Sequence, residues 1–196
     1  MPYALDRNLG AAYNRAMALL PDGGWAVMID HDAMNTTREW FRLIAEAIAF
    51  LPEAGAFVAV TNRIDAFWQR AEEADIDNHD IGYHTAIGTA RLARRTLLDI
   101  TETKGFGGVL FAVSKAAWRE AGGFADGMLC VDHSLHFGLR RAGRRVYLLD
   151  GLYVYHRRRA FVGTLPADTP RVAHCPCRGA EPTPTVRIAL PEARVA

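Results

Sequence analysis

Apolar residues in the first 160 positions follow two spacings, one typical of helices and one typical of buried strands. Tyr13, Met17 and Leu20 recur at helical spacing and predict a first helix. The continuous apolar runs 25–29 and 57–60 are short and predict strands that are covered on both faces. The chain therefore begins with a helix and continues with two buried strands.

A further helix is predicted between these two strands. Thr36 and Glu39 have the spacing of an N-terminal capping box, and apolar residues then recur on one side of the predicted helix as far as Leu51. Residues 64–84 are polar and show no clear period. The rest of the chain predicts the following elements: a helix over 85–100, a strand over 109–113, a helix from Ser114 to Trp118 that ends at Gly122 and Gly123, a helix over 132–141, and strands over 146–149 and 152–155.

Helices and strands that alternate along a chain form layered α/β domains, usually around a mostly parallel sheet. We therefore predict an α/β domain with a mostly parallel central sheet over residues 1–163. Six of the nine prolines lie in the last 31 residues, which have no sustained apolar period. This composition predicts a proline-rich C-terminal arm or tail over residues 164–196.

The composition excludes several classes of protein. Half of the residues are apolar and 23% are charged, which is typical of a globular chain rather than a disordered one. The formal net charge of +1 provides no field that would recruit nucleic acid. No stretch approaches the roughly 20 apolar residues that span a bilayer, and the first residues lack the pattern of a signal peptide. Three cysteines exclude a disulfide-rich scaffold and predict a reducing, cytoplasmic setting.

Two carboxylates directly follow the strand predicted over 25–29. Asp30 and Asp32 would lie in the loop at the carboxyl end of that strand, where ligands collect in α/β sheets. Carboxylates this close repel each other unless a cation lies between them. Oxygen ligands that leave coordination positions open suit Mg²⁺ or Mn²⁺ bridging to substrate phosphates. The alternative is an acidic turn without an ion, because a D-x-D motif is short and common.

Six short motifs follow one another along the chain. They are Asn8-Leu9-Gly10-Ala11-Ala12-Tyr13-Asn14, Asp30-His31-Asp32, Gly107-Gly108, the run from Trp118 to Gly122-Gly123-Phe124, the run from Asp132 to Leu139-Arg140-Arg141-Ala142-Gly143, and Tyr155-His156. Their order resembles that of the GT-A glycosyltransferases of family 2, over about four-fifths of the chain. The resemblance implies a GT-A-like domain that is shortened at its N-terminus, since only seven residues precede the first motif.

The resemblance also implies a metal site and a general base. Asp30, Asp32 and His156 match the positions that would hold a Mn²⁺ or Mg²⁺ ion. Asp132 stands where the family keeps the general base that removes the acceptor proton. Val131 replaces the glutamate that relatives carry before this aspartate, so the electrostatic surroundings of the base differ from those in the family.

Further residues match the binding positions of the family. Asn8, Asp30 and Arg157 would contact the nucleotide-sugar donor, which the resemblance implies to be a UDP- or GDP-sugar. Gly107 and Gly108 would let the backbone approach the transferred sugar and the acceptor, because glycine has no side chain to block a ligand. The shortened N-terminus would leave an exposed sheet edge, which favours self-association or cover by the proline-rich arm.

The implied function is transfer of a sugar to an acceptor hydroxyl, in a single inverting displacement with Asp132 as the base. The alternative from another class is a catalytically degenerate remnant that binds a nucleotide, a glycan or a partner protein. The shortened N-terminus favours the remnant, and retention of the metal-site and base residues favours the enzyme. A nucleotidyltransferase would share the metal chemistry but should show a Gly-rich phosphate loop near its start, and the sequence has none.

The remaining clusters of candidate ligands have weaker patterns. They are Cys130, His133 and His136 on a predicted helix, His174, Cys175 and Cys177 in the proline-rich arm, and the polar segment 77–84. Neither histidine–cysteine cluster has the spacing of a zinc module, so we interpret them as core or surface histidines and free thiols. The polar segment is expected to be a solvated loop, with an acceptor-binding loop as the alternative.

Overall fold

The computed structural model describes residues 7–157 and 186–191. Its helices are α1 (Leu9–Ala18), α2 (Trp40–Phe50), α3 (Ile81–Arg91), α4 (Lys115–Glu120) and α5 (Val131–Arg141), with a short 3₁₀ helix at Phe67–Gln69. Its strands are β1 (Trp25–Ile29), β2 (Ala33–Asn35), β3 (Ala56–Thr61), β4 (Thr96–Asp99), β5 (Leu110–Ser114), β6 (Val146–His156) and β7 (Val186–Ala189). The α/β class predicted from the sequence is confirmed.

The seven strands form one mixed sheet in the order β1-β5-β3-β6-β4-β7, and β2 pairs with the end of β6. Among the described strands only β3 and β6 pair in parallel, so the prediction of a mostly parallel sheet is wrong. The physical reason is that β5 lies antiparallel between β1 and β3. Alternation of helix and strand predicts the type of each element, but it does not fix the direction in which a strand enters the sheet.

Three local predictions also differ from the structure. The helix predicted over 85–100 is instead α3 followed by β4. α3 begins earlier than predicted because Asp80 caps it by accepting a hydrogen bond from the backbone of Tyr83 (2.8 Å). Thr36 does not cap a helix, since its hydroxyl donates to the Tyr153 carbonyl (2.7 Å) and α2 begins only at Trp40. The two strands predicted over 146–149 and 152–155 are one strand, β6, whose register with β3 shifts near its middle.

Hydrophobic residues cover both faces of the sheet. One core cluster contains Met17, Phe106, Phe111 and Leu135, which join α1 and α5 to the sheet. The other core cluster lies under α2 and contains Leu43 and Ile44 together with Phe57, Leu97 and Leu149 of the strands. Burial on both faces explains the continuous apolar runs in β3 and β5.

The pairing directions bring several chain segments to one edge of the sheet. Because β1 and β3 both run antiparallel to β5, and β3 runs parallel to β6, the carboxyl ends of these three strands meet at the same edge. The amino end of β5, which follows Gly107 and Gly108, lies at that edge too. The edge therefore collects residues from four separate stretches of the sequence.

Part of the predicted arm belongs to the sheet. β7 pairs antiparallel with β4, and Leu190 directly after it is buried in the core beneath α2. His174, Cys175 and Cys177 lie outside the described residues. None of the described helices combines the length and the apolar character needed to cross a membrane.

Candidate metal centre

The structure brings together the three residues predicted as metal ligands. Asp30 directly follows β1, Asp32 lies two residues later, and His156 is the last residue of β6. One potential ligand atom from each of them lies within 4.8 Å of the others. His156 Nε2 is 3.4 Å from Asp32 Oδ1 and 4.0 Å from Asp30 Oδ2.

The backbone around the two aspartates is folded back onto β6. The Ala33 N–H donates to the Asp30 carbonyl (3.1 Å), which closes a turn, and β2 then pairs with the last three residues of β6. The Arg157 N–H donates to the Asp32 carbonyl (3.0 Å). These main-chain hydrogen bonds hold the aspartate loop beside His156 without using either carboxylate.

The protonation of the His156 ring follows from its hydrogen bonds. Nδ1 lies 2.7 Å from the Arg63 carbonyl oxygen, which can only accept, so Nδ1 carries a proton. In the neutral ring the lone pair is therefore on Nε2, the atom that faces the two aspartates. The backbone N–H of His156 also donates to Asn62 Oδ1 (2.8 Å). This arrangement, in which one ring nitrogen is held by the protein and the other is directed at the site, is typical of metal-bound histidines.

The charges at this edge favour a cation. Burial, together with the negative charges of Asp32 and Asp132, raises the pKa of Asp30 to about 7. Two carboxylates and one imidazole lone pair form a donor set that suits a divalent ion with open coordination positions. Asp30, Asp32 and His156 therefore fit the predicted ion.

Asp132 lies in the first turn of α5, beside the metal residues. Its Oδ2 accepts a hydrogen bond from the Gly108 N–H (2.8 Å), and its Oδ1 accepts one from the adjacent His133 N–H (2.9 Å). Its charge raises the pKa of both Asp30 and Tyr13, and the Asp30 N–H donates to the carbonyl of Val109 (2.9 Å), the residue after Gly108. The carboxylate is thus oriented by backbone donors at the start of a helix, where a negative charge is stabilised.

Tyr13 is a site residue that the sequence analysis did not identify. Burial raises the pKa of its hydroxyl, and so do the charges of Asp30 and Asp132. Its ring packs against Phe111 and Phe124, with centroid separations of 6.3 Å and 5.1 Å. An aromatic residue at helical spacing is typical of the core, so the sequence contains no signal for this position.

The glycines of the predicted sugar site have different environments. A Cβ on Gly107 would lie 1.9 Å from Ile64 Cδ1, and Gln69 binds both the N–H (2.7 Å) and the carbonyl (3.2 Å) of Gly107. The close backbone approach at Gly107 is therefore made by protein side chains. The N–H of Gly108 instead faces Asp132.

The two remaining residues predicted to bind the donor, Asn8 and Arg157, contact different parts of the protein. The Asn8 Oδ1 accepts from the backbone of Ala11 (2.9 Å) and of Gly127 (3.0 Å), so it both caps α1 and binds a loop. Arg157 is exposed and joins the site through its backbone. Their proposed contacts with a nucleotide-sugar stay predictions.

Two of the other histidines, His136 and His84, have structural partners. His136 lies on the buried face of α5, and its Nε2 donates to the Thr101 carbonyl (3.0 Å). His84 in the polar segment is also buried, between the Tyr153 hydroxyl (2.7 Å) and the Asn78 carbonyl (2.8 Å). Within the described ranges, the triad of Asp30, Asp32 and His156 is the one group of three or more side chains placed to share a metal ion.

Comparison with family models, curated proteins and solved structures found no match for this chain.

Proposed function

We propose that this protein is a GT-A-like glycosyltransferase that uses a divalent ion to move a sugar from a UDP- or GDP-sugar to an acceptor hydroxyl, with inversion. The observation that carries the proposal is the convergence of Asp30, Asp32 and His156 beside Asp132. Residues far apart in the sequence meet at one sheet edge, in the combination of metal ligands and free carboxylate that sugar transfer requires. The order of the sequence motifs supports the same reaction.

The metal residues would bind the diphosphate end of the donor through the ion. When bound, Mn²⁺ or Mg²⁺ would stabilise the negative charge that develops on the departing nucleoside diphosphate. Asp30 and Asp32 supply the charge that offsets the ion, and His156 supplies a neutral nitrogen whose orientation Arg63 fixes. The backbone hydrogen bonds of the aspartate loop hold both residues beside His156.

Asp132 would act as the general base. Gly108 and His133 each donate one backbone hydrogen bond to its carboxylate, which leaves lone pairs on both oxygens for an acceptor hydroxyl. The acceptor oxygen forms a bond to the anomeric carbon while its proton passes to Asp132. The bond from that carbon to the diphosphate oxygen breaks, and the leaving group keeps the electron pair.

A binding module that has lost transfer is the second candidate. Gly107, which the resemblance assigns to the sugar site, is covered by Ile64 and Gln69. If Ile64 and Gln69 still cover Gly107 when a donor binds, the transferred sugar has less room beside Gly107 than the proposed reaction requires. A binding module would still retain the metal and the nucleotide.

The Asp132→Asn variant distinguishes the two candidates. Asparagine keeps the shape of the side chain and an oxygen that accepts from Gly108, but it does not take up the acceptor proton. With a panel of UDP- and GDP-hexoses and Mn²⁺, we expect nucleotide-sugar binding to persist while the transfer rate falls by about 10²–10⁴-fold. Calorimetry and a transfer assay on the same preparation measure the two quantities.

The control is Asp22→Asn, which makes the same chemical change at an exposed carboxylate paired with Arg119 (2.9 Å). Transfer by Asp132→Asn within about threefold of wild type would remove Asp132 from the mechanism. Wild-type protein that binds a nucleotide-sugar in the presence of Mn²⁺ and transfers nothing would favour the binding module.

A further inference from the structure

The first helix contacts the loop that leads to Asp132. We define the α1–loop interface as Asn8, Gly10 and Asn14 on one side and the loop of residues 123–127 on the other. Asn8, which caps α1, and Gly10 and Asn14 within it belong to the first sequence motif, of which the proposed reaction uses only Asn8, as a donor contact. They are more than 100 positions away from the loop in the sequence.

Asn8 and Gly10 hold the C-terminal half of this loop. The Asn8 Oδ1 accepts from the Gly127 N–H (3.0 Å), and its Nδ2 donates to Asp126 Oδ1 (3.1 Å). The Gly10 N–H donates to the Gly127 carbonyl (3.1 Å). Both backbone polar groups of Gly127 are therefore bound by α1.

Asn14 holds the first half of the loop. Its Nδ2 donates to the Phe124 carbonyl (2.8 Å), and its Oδ1 accepts from the Phe124 N–H (2.9 Å) and from Trp118 Nε1 (2.9 Å). Its amide thus pairs with both backbone groups of Phe124, as a neighbouring strand would. The ring of Tyr13, which lies on α1 next to Asn14, packs on the Phe124 side chain.

The contact is too close for any residue but glycine at position 10. A Cβ there would lie 1.9 Å from the Ala125 carbonyl oxygen, which is a backbone atom that cannot rotate away. The helix and the loop therefore meet backbone to backbone at Gly10.

The loop in turn is joined to the first turn of α5. The Ala125 N–H donates to Ser134 Oγ (3.0 Å), and that hydroxyl donates to the Val131 carbonyl (2.6 Å). Cys130, which precedes α5, has a left-handed backbone (φ +64°) and makes no side-chain capping hydrogen bond. Ser134 thus links the loop to the first turn of α5, which carries Asp132.

We propose that Asn8 and Asn14 are positioning residues, which set the place of Asp132 by holding the loop 123–127 and, through it, the first turn of α5. The inference rests on the proposed function, in that it takes Asp132 as the base. A base must be held within about 0.5 Å of its working geometry, and the helix N-terminus does not provide this on its own. The conformation of the loop is therefore part of the catalytic arrangement.

Asn8→Ser tests the proposal, since serine can still cap α1 but is too short to reach Gly127. The readout is the ¹H–¹⁵N resonance of Gly108, whose N–H is bonded to Asp132 Oδ2. We expect Asn8→Ser to move this resonance in the direction seen in Asp132→Ala. With UDP- and GDP-hexoses as donors, we expect kcat to fall at least about tenfold. Because Asn8 is also a predicted donor contact, the donor KM is judged on Asn14→Ala, where we expect it to stay unchanged.

Two variants provide the controls. The double variant Asn8→Asp with Asp126→Asn keeps both hydrogen bonds that Oδ1 accepts, reverses the one between residues 8 and 126, and should restore the Gly108 resonance and kcat. Arg15→Gly lies on the exposed side of α1 and weakens the helix by about 1 kcal/mol, but it should leave the Gly108 resonance in place. Asn14→Ala removes the other half of the interface and should act as Asn8→Ser does.

Folded Asn8→Ser and Asn14→Ala proteins in which both the Gly108 resonance and kcat match wild type would overturn the proposal. A fall in kcat that Arg15→Gly reproduces would also overturn it, because helix stability alone would then explain the effect. If the wild type transfers no sugar, the Gly108 resonance still decides whether the interface positions Asp132. That result would count against the proposed function without touching the positioning role.

Discussion

At the scale of single residues, His136 is the buried group that links pH to the stability of the fold. It lies on the buried face of α5 and is fully buried, and this burial lowers the pKa of its ring to about 4 from the usual 6.5. Because the folded protein binds this proton more weakly than the unfolded chain does, the neutral ring contributes its full stability above pH 6.5. That contribution is lost progressively as the pH falls towards 4.

His136→Gln should flatten this part of the stability profile. A glutamine amide can still donate to the Thr101 carbonyl, but it does not titrate. Between pH 7 and 4, we expect the difference in unfolding free energy between wild type and variant to change by at most about 3 kcal/mol, in favour of the variant at low pH. Urea denaturation at a series of pH values measures this difference.

The raised pKa of Asp30 acts in the opposite direction, because it favours the folded state as the pH falls below about 7. This contribution is common to the two proteins and cancels in their difference. Parallel stability profiles for wild type and His136→Gln would show that His136 is not the titrating group.

The candidate site was predictable from sequence only where local patterns carry it. Asp30 and Asp32 lie in one short motif after an apolar run, so their proximity follows from spacing alone. His156 could be connected to them only through the resemblance, because the pairing of β2 with the end of β6 is a long-range contact. Tyr13 could not be found, since nothing in a helical pattern distinguishes an ordinary core ring from one whose hydroxyl pKa is raised by the charges of Asp30 and Asp132.

At the scale of elements, the packing of α4 against α5 depends on a glycine. A Cβ on Gly138 would lie 2.6 Å from the Ala121 carbonyl oxygen and 3.0 Å from the Ala121 Cβ. Alanine is the better helix former by about 1 kcal/mol, but overlap with a backbone oxygen requires the two helices to move apart. We expect Gly138→Ala to lower the unfolding free energy by about 1–3 kcal/mol in urea denaturation.

Gly82→Ala is the matched control for that prediction. Gly82 is exposed in the first turn of α3, and a Cβ there would meet only the Asp80 carboxylate, at 3.0 Å. We expect this change to be neutral or slightly stabilising. If Gly138→Ala proves as mild as Gly82→Ala, the close contact between α4 and α5 is not a constraint on the fold.

Element types were more predictable than their boundaries and directions. The positions of β1, β3 and α5 follow from local apolar spacing. The prediction that β1 is covered on both faces is wrong, because β1 ends the sheet order and is mostly half-buried, with Ile29 exposed. The reversal of β5 between β1 and β3 is not encoded in any window of the sequence. The capping spacing at Thr36 and Glu39 failed because the Tyr153 carbonyl, distant in sequence, takes the threonine hydroxyl.

At the scale of the whole molecule, β7 extends the sheet beyond β4 with a segment that is distant in sequence from the other strands. Leu190 is buried, its N–H donates to the Arg95 carbonyl (2.8 Å), and Arg95 donates to the Pro191 carbonyl (2.7 Å). Removal of residues 186–196 would expose the edge of β4 and part of the core beneath α2. We expect a loss of unfolding free energy of about 2–4 kcal/mol, mostly from the buried leucine.

Removal of residues 192–196 alone is the control and should leave the urea midpoint unchanged. Both truncated proteins are compared with the full chain by circular dichroism at increasing urea concentration. Equal midpoints for all three proteins would show that β7 adds nothing to the stability of the sheet.

The central claim is that Asp30, Asp32 and His156 hold a divalent ion together with the diphosphate of a nucleotide. The most direct test is calorimetric titration of UDP and of GDP into the protein, with Mn²⁺ and with EDTA, for wild type and Asp32→Ala. We predict that one nucleotide binds wild type at least about tenfold more tightly with Mn²⁺, and that Asp32→Ala removes this difference while its unfolding temperature is preserved. The claim would be contradicted if the wild type binds UDP as tightly with EDTA as with Mn²⁺, and GDP likewise.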